Sequence, residues 1–394
     1  MRKTAVRLLL TAFFAFMCFY LIIAICLPSS VSIVEGEKAK ISSVVHVSIS
    51  SNSETEGVIE YDFSSMEVSS ETPGSYDATV SVMGIPVKSV SINVMEDKML
   101  IPVGNVEGIV LKYDGMLVLG TGKIETDSGE TVSPSKGILK SGDMIQSVNG
   151  QKVETHEELN EIIAENEDNE LEIVLKRNDE IKTVEVMPVF SSADNSYKIG
   201  CWIRSDTQGL GTITFIDKEN MTFGALGHGV YDSDTGTLME IKDGTVTKSF
   251  ISGINKSQKG TPGEITGALD KSKTYGEIEK NTSCGIYGSI YDISDFDDIE
   301  SMPIASSSQV KEGKAYIISD ALDGKRQEYE ITIEKILGFG SSDDKSMVIR
   351  IDDERLLNIT GGIVQGMGVI DNRDNTKKPV NNRFSAVTLK LTMI

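Results

Sequence analysis

Three imidazoles, His46, His156 and His228, are the side chains of this 394-residue chain best suited to move protons near neutral pH. His228 has the most telling neighbours. It lies in "FGALGHGVYDSDTG", where Gly227 and Gly229 allow a tight turn that keeps the ring accessible, as a general base requires. A second glycine-rich stretch, "LLNITGGIVQGM", follows much later and adds weight to a catalytic reading. His46 sits among valines in a strand pattern and reads as a packed or surface residue. Glycine-rich phosphate loops, paired histidines at metal-ligand spacing and C-x-x-C are all missing from the sequence, so nucleotide and zinc chemistry are disfavoured and no cofactor is expected. Of the four cysteines, Cys18 and Cys26 fall in an apolar N-terminal run, while Cys201 and Cys284 could pair but are expected as buried free thiols.

The elements that must position these groups follow from composition and periodicity. A net charge of −21 argues against nucleic acid or an anionic membrane surface as the main partner. Arg2, Lys3 and Arg7 precede an uncharged apolar run from Leu8 to Leu27, long enough for an uncleaved transmembrane helix with the remainder outside the cytoplasm; a cleaved signal peptide is the alternative, disfavoured by the length of the run and the lack of a clean A-x-A site after it. Residues 1–30 are therefore read as a cytoplasmic tip and membrane anchor, and 31–100 as a β-rich juxtamembrane region, from the alternation in "VVHVSIS" and "VKSVSINVM". Residues 101–189 form a third unit. In "GILKSGDMIQSVNGQKV", Gly142-Asp143 turns into a buried strand that ends at a hairpin turn, Asn149-Gly150. "THEELNEIIAEN" reads as an amphipathic helix with Thr155 as N-cap, Glu158 completing the capping box, and Leu159, Ile162 and Ile163 on one face. From 190 onward, short apolar runs alternate with Gly, Asp and Ser turns, the pattern of an all-β barrel or sandwich.

The third unit resembles a PDZ domain, most specifically through the "G-D-x-I-x-x-V-N-G" pattern in that stretch. That resemblance implies capture of an extended peptide beside a sheet edge. It places the carboxylate-binding loop at Gly108, Ile109, Val110 and Leu111, and the groove helix at 156–166 with His156 lining it.

Over nearly its full length the chain resembles the stage IV sporulation protein B (SpoIVB) peptidases of endospore-forming bacteria. "KIGCWIRSDTQGLGTITFID", "FGALGHGVYDSDTG", "GTPGEITGAL", "NTSCGIYG" and "TGGIVQGM" carry the likeness, in that order. It implies a mainly β protein: an N-terminal transmembrane helix, a PDZ-like α+β domain and a C-terminally truncated, trypsin-like double β-barrel over 190–394. It also implies serine endopeptidase chemistry, self-processing, and cleavage of a membrane-bound regulator, so that an intramembrane protease activates a mother-cell sigma factor. The implied location is the forespore membrane, facing the intermembrane space. Partners would be the membrane and peptide segments, including the chain's own.

In the implied triad His228 is the base, and Asp353, rather than adjacent Asp352, is the orienting acid. The family's serine directly follows the methionine, but here Met367 is followed by Gly368, which has no hydroxyl. The next serine, Ser385, is too far along to share that turn. The tail "NNRFSAVT" resembles a family strand reading F-I-G-A-V-T-H, which implies a disturbed reading frame between Met367 and the C-terminus. Written as it stands, the chain is expected to have crippled catalysis; the alternative reading is an inactive, anchored PDZ adaptor.

Overall fold

The computed structural model describes residues 2–27, 29–40, 48–51, 59–62, 67–82, 84–232, 236–306, 309–336, 347–362, 364–365 and 369–371. His46, Gly368 and Ser385 lie outside these residues.

The apolar N-terminal run folds as helix α1 (Arg2–Cys26). Its far end docks on protein: Ile23 and Leu27 are buried in one cluster with Ile33, Val80, Val90 and Ile92. Tyr20 donates its hydroxyl hydrogen to the Pro86 carbonyl. Lys88 Nζ donates to the Leu27 carbonyl at 2.7 Å. Among the described residues no helix is long and apolar enough to cross a membrane. This corrects the expected transmembrane helix, since the last turns of the run close a protein core.

That core belongs to a four-stranded sheet of β1 (Ser30–Val34), β2 (Ser48–Ser51), β3 (Gly74–Val82) and β4 (Ile85–Met95), in the order β1-β4-β3-β2. Ala78, Val80 and Val82 alternate into it along β3, the period-2 pattern that the sequence carries.

The largest sheet begins with β5 (Met99–Pro102) and the long β6 (Val106–Thr121). The first half of β6 enters a closed barrel with β10 (Cys201–Asp217), β11 (Thr222–Ala225), β12 (Ile241–Asn255), β13 (Gly263–Thr282) and β14 (Gly285–Ile290). The pairing circle runs β6-β12-β13-β14-β11-β10 and returns to β6. Closure leaves these strands no open edge. Leu111, Tyr113, Ile213, Phe223, Val246, Ile278 and Ile286 fill the interior.

The second half of β6 leaves the barrel and enters the PDZ-like unit. It pairs with β7 (Met144–Val148), which pairs with β8 (Leu171–Arg177), which pairs with β9 (Glu180–Val186). Helix α2 (His156–Asn166) covers this sheet. Thr155 and Glu158 form the reciprocal capping box, and Leu159, Ile162 and Ile163 are buried, as the spacing predicts. Asn149 and Gly150 take φ of 48° and 75°, the conformation of a tight primed hairpin turn. Asp143, fully buried, receives Arg177 Nε and a terminal guanidinium nitrogen, each at 2.6 Å.

The C-terminal sheet comprises β15 (Gly313–Ser319), β16 (Gln327–Ile336), β17 (Met347–Ile351) and β19 (Val369–Asp371), in the order β17-β16-β15-β19. Helix α3 (Glu354–Thr360) and β18 (Val364–Gln365) link β17 to β19. Among the described residues this second β unit is an open four-stranded sheet beside the closed barrel.

Candidate functional site

His228 stands just beyond β11, where the chain leaves the barrel wall. Leu226 and Gly227 take φ of 69° and 67° in succession, which turns the backbone sharply before the ring. Gly229 is required for a different reason: a Cβ there would lie 2.4 Å from Leu238 Cδ1 and 2.5 Å from the Thr282 carbonyl oxygen. Asn281 on β13 pins the far side of the loop. Its Oδ1 accepts from Val230 N at 2.9 Å, and its Nδ2 donates to the Val230 and Met239 carbonyls at 2.8 and 2.9 Å. Below the loop, Tyr113 donates its hydroxyl hydrogen to buried Asp232 at 3.0 Å. Burial, followed by the Asp232 charge, pushes the Tyr113 hydroxyl up to about 12.

The half-buried ring has a defined polarity. Nδ1 lies 2.9 Å from the Gly229 carbonyl. A carbonyl only accepts, so Nδ1 carries the proton and Nε2 presents the lone pair that a general base uses. Among the described residues, no carboxylate bonds to this ring.

Asp353 is engaged elsewhere. It is the N-cap of α3, accepting from Arg355 N at 2.8 Å and Leu356 N at 3.3 Å. The Arg355 guanidinium also grips it, with a closest contact of 2.7 Å, and holds its carboxyl below the usual carboxylate range. Asp352 is bound as well, to Arg350 Nε at 2.8 Å and to the Thr332 hydroxyl. Thus the two members of the implied triad that are described, His228 and Asp353, are each hydrogen-bonded to local partners and not to each other.

The segment that carries Gly368 has described flanks. β18 pairs in parallel with β13 of the barrel at Gly263 and Glu264. β19 pairs with β15 of the C-terminal sheet. The described flanks of that segment thus pair with different β units.

Gly108 to Leu111 do not form a peptide-binding loop. They lie inside β6 with both edges occupied: they pair with Leu210, Gly209, Gln208 and Thr207 of β10, and with Thr247, Val246, Thr245 and Gly244 of β12. No backbone N–H row is left there for a terminal carboxylate, so that expectation is corrected. His156 does open α2, and its Nε2 lies 3.2 Å from the Ile203 carbonyl. The strand beside the groove helix is therefore the start of β10, Cys201–Arg204, which pairs with the second half of β6. Cys201 and Ile203 also pack on the PDZ-like core. Sequence reasoning missed this use of "GCWIRSD" because its alternation reads equally well as a barrel strand. Cys201 and Cys284 are both free. Burial pushes the Cys201 thiol up to about 12, whereas Cys284 is exposed, which corrects its expected burial.

The described structure thus joins a closed β-barrel, with an imidazole on a glycine turn, to a PDZ-like unit. Residues 195–372 match the family model described as SpoIVB peptidase S55. Residues 125–191 match the tricorn protease PDZ domain. Among solved structures, the PDZ domain of the SdrC-like protein from Listeria monocytogenes aligns at 19% identity. It covers 24% of this chain and 90% of that one, with a TM-score of 0.19, too low to define a fold. Among curated proteins, none matches this sequence.

Proposed function

We propose that the chain is a SpoIVB-type serine endopeptidase of sporulation signalling, with His228 as general base and the PDZ-like unit holding the peptide. One observation carries this reading: within the S55-matching region, a glycine turn at the end of a barrel strand holds an imidazole with Nε2 unengaged. The enzyme works outside the cytoplasm, between the two membranes of the developing spore. It processes itself, then cleaves a membrane-bound regulator, so that an intramembrane protease releases a mother-cell sigma factor.

Nε2 of His228 takes the proton of an attacking hydroxyl, and the resulting imidazolium is steadied through Nδ1–H. In the described conformation the Gly229 carbonyl fills that second role. Asp353 fills it only if the α3 cap opens, and Gly368 marks the place of the hydroxyl itself.

Gly368 favours a second reading for this very chain, a catalytically inactive PDZ adaptor that binds peptides without cutting them. Expression of the full chain beside its Gly368→Ser variant separates the two. Self-cleavage that appears with the serine and disappears on adding His228→Ala supports the peptidase. A serine variant that stays intact while still binding peptide supports the adaptor.

A further inference from the structure

Away from the His228 loop, a cavity of about 370 Å³ opens at the junction of barrel and C-terminal sheet. Its lining includes Asn105, Glu107, Lys248, Phe250, Asp295 and Asp320, and shares no residue with the His228 turn or the α3 cap. The floor is acidic and deep. Glu107 is only 5% exposed and Asp320 only 8%.

Each of these carboxylates has a backbone partner. Glu107 Oε2 accepts from Ser249 N at 3.0 Å, and Asp320 Oδ1 accepts from Val106 N at 2.8 Å. Among the described residues neither forms an ion pair. Lys248, the one cation in the lining, is committed to Asp295 at 3.2 Å, which also takes Lys273 at 2.7 Å and the Tyr275 hydroxyl at 2.8 Å. Those partners, Lys273 foremost, hold Asp295 down to about 2. Lys248 acts on Glu107 only at a distance, so both acids lack a paired cation, an arrangement that favours their neutral forms unless a positive group joins them.

Two further observations point to what that group is. Among the described residues, Asn105 Oδ1 is buried in the lining without any hydrogen-bond partner. It is an acceptor that awaits a donor-rich ligand. Phe250 also lines the cavity yet remains 58% exposed, offering an aromatic face of the kind that attracts organic cations. Among the described residues, no cluster of three or more His, Cys, Asp or Glu could hold a metal ion.

We propose that this cavity binds an alkylammonium or guanidinium group, the side chain of a lysine or arginine presented by a peptide. The cation seats against Glu107, Asp320 and Asn105 Oδ1, and its aliphatic stem lies along Phe250. The site does not depend on peptide hydrolysis and is intact in the chain as written. Its pH response is defined too. Burial, then the Asp320 charge, pushes Glu107 up to about 8, with Ser249 N and Lys248 opposing and Asp295 adding to the rise. Burial pushes Asp320 up to about 6. Glu107 is therefore largely protonated at neutral pH, and a bound cation drives its proton off. Affinity rises as pH passes upward through about 8.

The test is calorimetric titration of the purified full chain with Nα-acetyl-arginine amide and with its uncharged isostere, Nα-acetyl-citrulline amide. The arginine compound is expected to bind with proton release, and the citrulline compound is not. Glu107→Gln keeps an acceptor for Ser249 N and should weaken binding about tenfold or more while the melting curve matches that of the parent chain. Phe250→Ala, at an exposed position, should weaken it roughly threefold. Equal binding of the two amides, unchanged affinity in Glu107→Gln, or no binding of the arginine compound at its solubility limit would each overturn the proposal.

Discussion

The PDZ-like unit and the barrel each hold one described histidine against a backbone carbonyl, but with opposite ring nitrogens. His156 uses Nε2, towards Ile203 on the neighbouring strand, while His228 uses Nδ1, towards Gly229 beside it. The first arrangement ties a helix start to a sheet edge and occupies the outer nitrogen. The second is self-contained, fixes the tautomer and leaves the outer nitrogen for chemistry. The fold thus consumes a different ring nitrogen of the same side chain in each region.

The contrast is sharpest at the nucleophile. Gly368→Ser supplies the hydroxyl that the poised nitrogen lacks, and should raise peptide hydrolysis by at least about 10³-fold, measured with a fluorogenic peptide. No gain would mean that the barrel histidine, like His156, is structural. The next largest effect belongs to the PDZ-like side. Arg177→Ala strands the Asp143 carboxylate in the core and should cost about 3 to 5 kcal/mol in denaturant unfolding. A loss below about 1 kcal/mol would show that water reaches Asp143.

Asn281→Ala removes three hydrogen bonds from the His228 loop and should cost about 2 to 3 kcal/mol. In the Gly368→Ser background it should lower kcat more than it changes KM, whereas His156→Ala should leave kcat alone. Asp353→Ala should have the smallest effect, about 1 kcal/mol from the lost cap. Because Arg355 depresses its folded-state pKa, that stabilisation is present above the ordinary carboxylate range and is lost as pH falls through the folded value. A fall of several orders of magnitude in the serine variant's activity on Asp353→Ala would instead show the cap opening to serve His228.

Legibility followed the range of the interactions. Thr155, Glu158 and the buried face of α2 were readable because a capping box and a 3.6-residue period complete themselves within a few positions. The Asn149-Gly150 turn was readable for the same reason. Gly108 to Leu111 were misplaced because an apolar run beginning with glycine looks alike in a binding loop and in a barrel strand; only pairing on both edges tells them apart. Asp143 with Arg177, and Glu107 with Asp320, come together from 34 and 213 positions apart in the chain, beyond any local pattern.

By itself, the sequence determined the residue types and their short-range geometry: a histidine between glycines, a capped helix and alternating strands. These depend on covalent structure and on bonds that span a few residues. The tertiary structure decided which nitrogen of each histidine is left over, that Asp353 caps a helix, and that two acids share a cavity without a paired cation. Those outcomes depend on which distant strands pair and on what is thereby shut away from water, and no stretch of chain carries that information alone.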